Sequence, residues 1–383
     1  MTPQVPQQAN TSPTQKGFLP RIFFSQKNLS AGSLPPKQQS IAMLLSSLKP
    51  LAASFLRLLL SNLSWSLSLI TAKPTPPRHT STITTPKNKD KDNDTVHSLI
   101  PHGSWDSHMH ILDPTHYPLA SDAQYTPNPH LLHSALSFEK SVQIQNLVIV
   151  QPSIYGYDNS CLLSALRTLG PSRGRGVVTF ETANITTSTL REWHALGVRG
   201  VRINLQSVGQ SADPVELAST LHRYADIIRP FGWVLQLYVP LETAVVLEDI
   251  VPDLHVRVCL DHFGSPDMSN ATAGGRDPYA IPGFRSLVNL LTQGNTFVKM
   301  SAPYRLSNST EWSELKPIGR ELLRVAGMKR VVFASDWPHT RFEGLDIKPF
   351  FRTVMEWCNW DDAMIERVFK GNAEDLWDVD CKK

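Results

Sequence analysis

VRGVRINLQSVGQSADPVELASTLHRYADIIRPFGWVLQLYVPLETAVVLEDIVPDLHVRVCLDH, residues 198–262, holds three short β-branched runs separated by two helix-length amphipathic stretches. The runs are VRGVRINL (198–205), WVLQLYV (233–239) and VRVCLDH (256–262). Asp213–Arg229 and Leu241–Ile250 lie between them. Asp213 followed by Pro214 and Glu216 is a strong helix start: a side-chain cap, a proline whose missing N–H is not needed, and an early acid facing the helix dipole. Strand–helix–strand alternation of this kind builds parallel sheets.

The same unit recurs on both sides. Further strand candidates are SWDSHMHIL (104–112), NLVIVQ (146–151), RGVVTFE (175–181), TFVKMS (296–301) and RVVFASD (330–336). Amphipathic segments at Asn128–Val142, Ser188–Leu196, Gly283–Thr292 and Trp312–Ala326 alternate with them. Eight strands alternating with helices predict an α/β protein, a (β/α)8 TIM barrel. An open doubly wound sheet is the alternative, but it would carry a glycine-rich dinucleotide loop after the first strand, and none is present.

A TIM barrel places its chemistry at the C-terminal ends of the strands. The reactive side chains of this sequence gather there. The first strand closes on Asp106, His108 and His110, the second on Gln151, Ser153 and Tyr155, and the fourth on Arg202 and Asn204. Tyr238 ends the fifth, Asp261 and His262 the sixth, Lys299, Ser301 and then Arg305 the seventh, and Asp336 with His339 the eighth. His108 and His110 are two apart, so on a regular strand they share a face. Imidazoles converging in a barrel lumen suit metal ligation or carbonyl polarisation. His262 and Asp336 could serve as loop or helix caps. Four such groups in one mouth would be costly to desolvate without a purpose. Arg202, inside an apolar run, needs a partner.

Composition narrows the functional classes. The 383-residue chain has a formal net charge of +3, yet residues 1–89 contain ten basic residues and no acid, and 90–383 hold 27 basic and 34 acidic residues. The body is therefore acidic at −7, and a nucleic-acid role is not expected despite the basic turn SRGRG (172–176). Four dispersed cysteines without a CxxC pair suit a reducing compartment. Two domains are expected: a low-complexity basic extension at 1–100, weakly structured or disordered, and a barrel at 101–383. The apolar run 41–71 is interrupted by Arg57, which costs about 2.5–3.5 kcal/mol at a membrane centre. It fits a transit segment better than an anchor, giving an expected intracellular location, cytoplasmic or mitochondrial.

DSHMHIL, QYTPNP, NLVIVQPSIYGYDN, GVRGVRINL, GWVLQLYV, LDHFGSPD, VKMSAPYRLS, VVFASDWPHT and GNAEDLW occur in this order from 106 onward. Together they resemble the amidohydrolase-2 branch of the amidohydrolase superfamily, nearest to the 2-pyrone-4,6-dicarboxylate lactonases. The resemblance implies that Asp336 is the general base and that His108, His110 and His262 polarise the scissile carbonyl. It also implies that Tyr125, Ser153, Arg202, Tyr238, Arg305 and His339 contact the substrate. It implies either no cofactor or one divalent metal, zinc or manganese, on His108, His110 and Asp336. The family's further arginine six residues after the strand-four arginine is here Val208, which argues against a full dicarboxylate clamp at that place. The expected activity is hydrolysis of a carboxylate-bearing lactone or pyrone. A metal-dependent decarboxylase and a non-catalytic barrel binding small acids are the alternatives. The expected partner is a small anionic substrate.

Overall fold

The computed structural model describes residues 100–206, 213–269 and 277–379. The extension, its apolar run 41–71 and Val208 lie outside the described residues. Among those described, no helix is long and apolar enough to cross a membrane.

Eight parallel strands follow one another around the sheet in chain order. They are β1 (Trp105–Met109), β2 (Asn146–Val150), β3 (Gly174–Val178), β4 (Val198–Asn204), β5 (Val234–Tyr238), β6 (Val258–Leu260), β7 (Thr296–Met300) and β8 (Val331–Phe333). One main helix follows each: α1 (Leu132–Ser141), α2 (Ser160–Leu169), α3 (Thr187–Ala195), α4 (Pro214–Ile228), α5 (Ala244–Leu254), α6 (Phe284–Gln293), α7 (Lys316–Ala326) and α8 (Lys348–Trp357). The barrel predicted from sequence is the one observed. Helix α4 begins as its sequence dictates, with the Asp213 carboxylate accepting from the backbone N–H of Val215 at 2.9 Å and Glu216 at 3.2 Å. Helix α5 runs a turn beyond the expected Ile250, carrying Pro252 within it. Burial of Val251 and Leu254 offsets the lost backbone bond.

The lumen is filled in layers that climb toward the C-terminal ends. Trp105, Val148, Val177, Val234, Cys259, Phe297 and Val332 form an apolar floor, closed by Leu376, which ends the last helix (Asn372–Leu376), and by Trp377 just beyond it. Two residues further along their strands come Gln236, Asp261 and Lys299, all fully buried or nearly so. Tyr238 and Ser301 follow. An apolar plug thus supports a polar layer, which supports the mouth.

Two departures from the expected strands serve that mouth. β6 and β8 stop at Leu260 and Phe333, short of the predicted 262 and 336, because His262 (φ 50°) and Asp336 (φ 59°) have left-handed backbone conformations that no strand tolerates. β1 carries a register shift between Asp106 and Met109. Trp105 faces the floor and Ser107 accepts from Trp377 Nε1 at 3.2 Å, so strict alternation would turn His108 outward. The bulge re-aims it into the lumen.

The eighth and first strands meet through a bridge between Met109 and Trp337. Asp336 N–H donates to His108 O at 2.9 Å, and His110 N–H donates to Trp337 O at 2.8 Å. Asp106, outside the lumen, reinforces this seam by accepting from Ser335 N–H at 3.0 Å and from the Ser335 hydroxyl. Behind it Glu139 of α1 is buried, and neither carboxyl oxygen finds a donor. Burial, with Asp106 beside it, pushes the Glu139 carboxyl well above its usual range. Unfolded Glu139 ionises near its ordinary 4.5 whereas folded Glu139 keeps its proton, so this group costs stability increasingly as pH rises above that value. Glu139→Gln should therefore gain stability over wild type at pH 7.5 and little or none at pH 4, read by urea denaturation at both. A pH-independent difference would refute the buried-acid assignment.

Candidate active site

The histidines converge as their positions predict. His108 and His110 rings lie edge to face with centroids 5.0 Å apart, and His108 stacks on His262 at 5.0 Å. His110 Nδ1–H donates to Val150 O at 2.7 Å, leaving the Nε2 lone pair to face the cavity. His262 pairs Nδ1 with Ser301 Oγ at 2.8 Å, and burial pushes its imidazole down to about 4. Burial and Lys299 together hold His108 well below the ordinary histidine range. Around neutral pH both rings are uncharged.

Asp336 divides its two oxygens between distinct tasks. Oδ2 accepts from Tyr304 O–H at 2.6 Å and from Arg305 Nε at 2.9 Å. Oδ1 is buried without a hydrogen-bond partner, 3.5 Å from Nε2 of both His108 and His110. Burial alone would raise this carboxyl, but the Arg305 guanidinium together with His262, His110 and His108 outweighs it and holds the group well below the usual carboxylate range. Asp336 is therefore ionised throughout the working pH range, with one oxygen fixed and one available.

Beneath lies a network that joins Arg202 and His108 to Asp261 and Lys299, which the sequence marked only as strand-end charges, and to Gln236, which it did not mark. Lys299 Nζ donates to Gln236 Oε1 at 2.7 Å and sits 3.3 Å from both Asp261 Oδ1 and His108 Nδ1. Asp261 Oδ2 accepts from Arg202 Nε at 3.1 Å and from Gln236 Nε2 at 3.0 Å. Burial would raise the Asp261 carboxyl, yet Lys299, His108 and Arg202 hold it well below its ordinary range. The rule that flagged Arg202, a charge inside an apolar strand, applies equally to Lys299 in TFVKM. Tyr304 gave no comparable signal, because it reads as an ordinary loop residue.

A cavity opens above these groups, lined by His110, Tyr125, Ser153, Arg202, Tyr238, His262, Arg305 and Asp336, with Asn204, Thr340 and Arg341. Every substrate contact expected from sequence except His339 is on this lining. His339 is buried instead, edge-on to Tyr304 at 5.4 Å and Phe138 at 6.4 Å. Arg202 and Arg305 each give Nε to an acid and Arg305 gives one terminal amino group to Thr340, leaving the other Arg305 amino group and both of Arg202 for a ligand. Burial raises the Tyr238 hydroxyl, so it stays a neutral donor.

The donor set fits one divalent cation. His108, His262 and Asp336 each offer a ligand atom within 4.8 Å of the others, and His108 Nε2 and Asp336 Oδ1 are buried and unpartnered. The set anticipated from sequence was His108, His110 and Asp336; in the structure His262 completes the cluster, with His110 beside Asp336. His108 Nδ1 stands between Asp261 Oδ1 at 3.4 Å and Lys299 Nζ at 3.3 Å. Donating to Asp261 would free Nε2 for a cation, and accepting from Lys299 would place an N–H there instead.

The chain is similar to several proteins of known or described activity. A 4-sulfomuconolactone hydrolase from Hydrogenophaga intermedia is 30% identical over 254 residues, covering 65% of this chain and 78% of that protein. A 2-pyrone-4,6-dicarboxylate hydrolase from Comamonas testosteroni is 27% identical over 250 residues, covering 63% and 78%. The solved structure of a probable 2-pyrone-4,6-dicarboxylic acid hydrolase from Acinetobacter baumannii shares the fold, with a TM-score of 0.62, 22% identity, and coverage of 72% of this chain and 100% of that one. The amidohydrolase family model matches residues 105–379, from the first strand through the helix that plugs the barrel. With that match and the histidine–aspartate mouth it encloses, the chain belongs to the amidohydrolase family.

Proposed function

We propose that this protein hydrolyses a cyclic ester, opening a lactone or pyrone ring that bears an acidic group. The observation that carries the reading is the buried, unpartnered Oδ1 of Asp336 facing three imidazoles in a cavity lined by guanidinium groups. The relatives that hydrolyse a sulfomuconolactone and a pyrone dicarboxylate support the substrate class.

Asp336 Oδ1 takes a proton from water while the water oxygen bonds to the ester carbonyl carbon. The carbonyl electron pair moves onto oxygen beside His108, His110 and His262. Nε2–H of His108, set by Lys299 at Nδ1, donates to that oxyanion. Collapse of the intermediate breaks the ring C–O bond, and Asp336 returns its proton to the departing oxygen. Arg202 and Arg305 hold the substrate's acidic group, and Tyr238 and Tyr125 flank its ring. Were a divalent ion held by His108, His262 and Asp336, His108 Nδ1 would donate to Asp261 instead, and the ion would supply Lewis-acid polarisation of the same carbonyl.

The test is a panel of carboxylated pyrones and muconolactones, followed by loss of ring absorbance with and without a chelator. Ring opening is the expected result. Release of carbon dioxide would select the decarboxylase, and binding without turnover would select a non-catalytic barrel. Activity lost to chelator and restored by zinc or manganese would assign an ion to the triad. Activity unchanged by chelator would leave polarisation to the histidines alone.

A further inference from the structure

We propose that Arg341 is the rim group that recognises a second acidic substituent, making the preferred substrate a dianion. The inference rests on the reading of the mouth as a site for acidic lactones, and it names which acids.

Three guanidinium groups line the cavity. Arg202 is committed to Asp261 and Arg305 to Asp336 and Thr340. Arg341 is different. Among the described residues its guanidinium meets no carboxylate, and its recorded contact is the face of Tyr125, 4.5 Å from the ring centroid. Stacking on an aromatic face orients a guanidinium while leaving its in-plane donors free for a carboxylate or sulfonate.

Charge leads to the same residue. Asp261 and Asp336 are the acids of the inner site, and they already face Arg202, Lys299 and Arg305. An entering anion therefore meets a cation without a protein acid at Arg341. The backbone constrains it: Arg341 has a left-handed φ of 70° inside the turn closed by the bond from Phe342 N–H to His339 O at 2.8 Å. A non-glycine residue rarely adopts that conformation unless its surroundings impose it. The turn after β8 thus brings one guanidinium over Tyr125 on a lining that also holds Ser153, Arg202 and Arg305.

Isophthalate and benzoate test the proposal without a hydrolysable bond, so the outcome is independent of the lactone panel. The two share a planar ring, and isophthalate adds a second carboxylate in a 1,3 relation. Titration calorimetry of the full-length protein should show isophthalate binding more tightly than benzoate. Arg341→Gln should weaken isophthalate roughly 10- to 100-fold, as expected for loss of a charged hydrogen-bond pair, and leave benzoate within about twofold. An unchanged thermal midpoint would show that the exposed substitution leaves the fold alone. No preference for isophthalate in the wild type, or an equal loss for both acids in the variant, would overturn the assignment. Inactivity of the wild type on every lactone would overturn the hydrolytic reading and leave this binding result to stand or fall by itself.

Discussion

Asp336→Asn should reduce ring-opening turnover by about 10³-fold or more while leaving the barrel folded. The substitution is nearly isosteric. Tyr304 O–H and Arg305 Nε both donate to Oδ2, so the amide oxygen will take that place. Its NH2 then falls where Oδ1 now faces His108 and His110, 3.5 Å from each. A donor replaces the carboxylate oxygen proposed to take the proton from water. Arg305 loses its charged partner, but it is partly exposed, so screening limits that cost to about 1 kcal/mol. The kcat of the variant, with its thermal midpoint as control, checks the outcome. A variant retaining a tenth of wild-type turnover would remove Asp336 from the role of base.

Lys299→Met should be the most damaging change outside the residues that line the cavity. The ammonium is fully buried between Asp261, Gln236 and His108. Removing one partner of a buried pair typically costs about 3–5 kcal/mol because the other charge stays behind. Arg202 still faces Asp261 at 3.1 Å, which places the expected loss near the lower end, about 3 kcal/mol. For a domain of this size that lowers the midpoint by roughly 6 °C or more. Turnover should fall as well, since His108 loses the donor that sets its tautomer. The double variant Lys299→Met with Asp261→Asn should lose less stability than the two single losses combined, because the stranded charge is gone. Strict additivity would show that the pair is not coupled.

The barrel was legible because its signals are local. Alternating apolar runs and the Asp213–Pro214–Glu216 start act within a few residues, and α4 begins where they say. The mouth was legible because strand ends map onto it: His108, His110, His262 and Asp336 all arrive together. The bulge in β1 was hidden from the sequence, where His108 and His110 seem to share a face through regular alternation. In the structure His108 reaches the lumen through a register shift. Left-handed residues were hidden too, so β6 and β8 were drawn too long. Lys299 and Asp261 were visible as charges, but their pairing spans 38 positions and exists only once the sheet has curled. Arg341 carried no signal: on paper it is one arginine in a polar turn, and its placement over Tyr125 depends on the backbone around it. His339 differs in the opposite sense: it was expected among the substrate contacts, and the turn packs it edge-on to Tyr304 and off the lining.

The join between the last stave and the first has a kinetic implication. The amides of His110 and Asp336 fasten this joint, and the side chains of the same two residues meet in the mouth, Nε2 to Oδ1 at 3.5 Å. When heat loosens the joint, chemistry should be lost while the other seven interfaces still hold. Activity would then decay at temperatures where the circular dichroism is intact, and deuterium would enter those two amides ahead of the rest. The enzyme would wear out at its zip, with its fabric still whole.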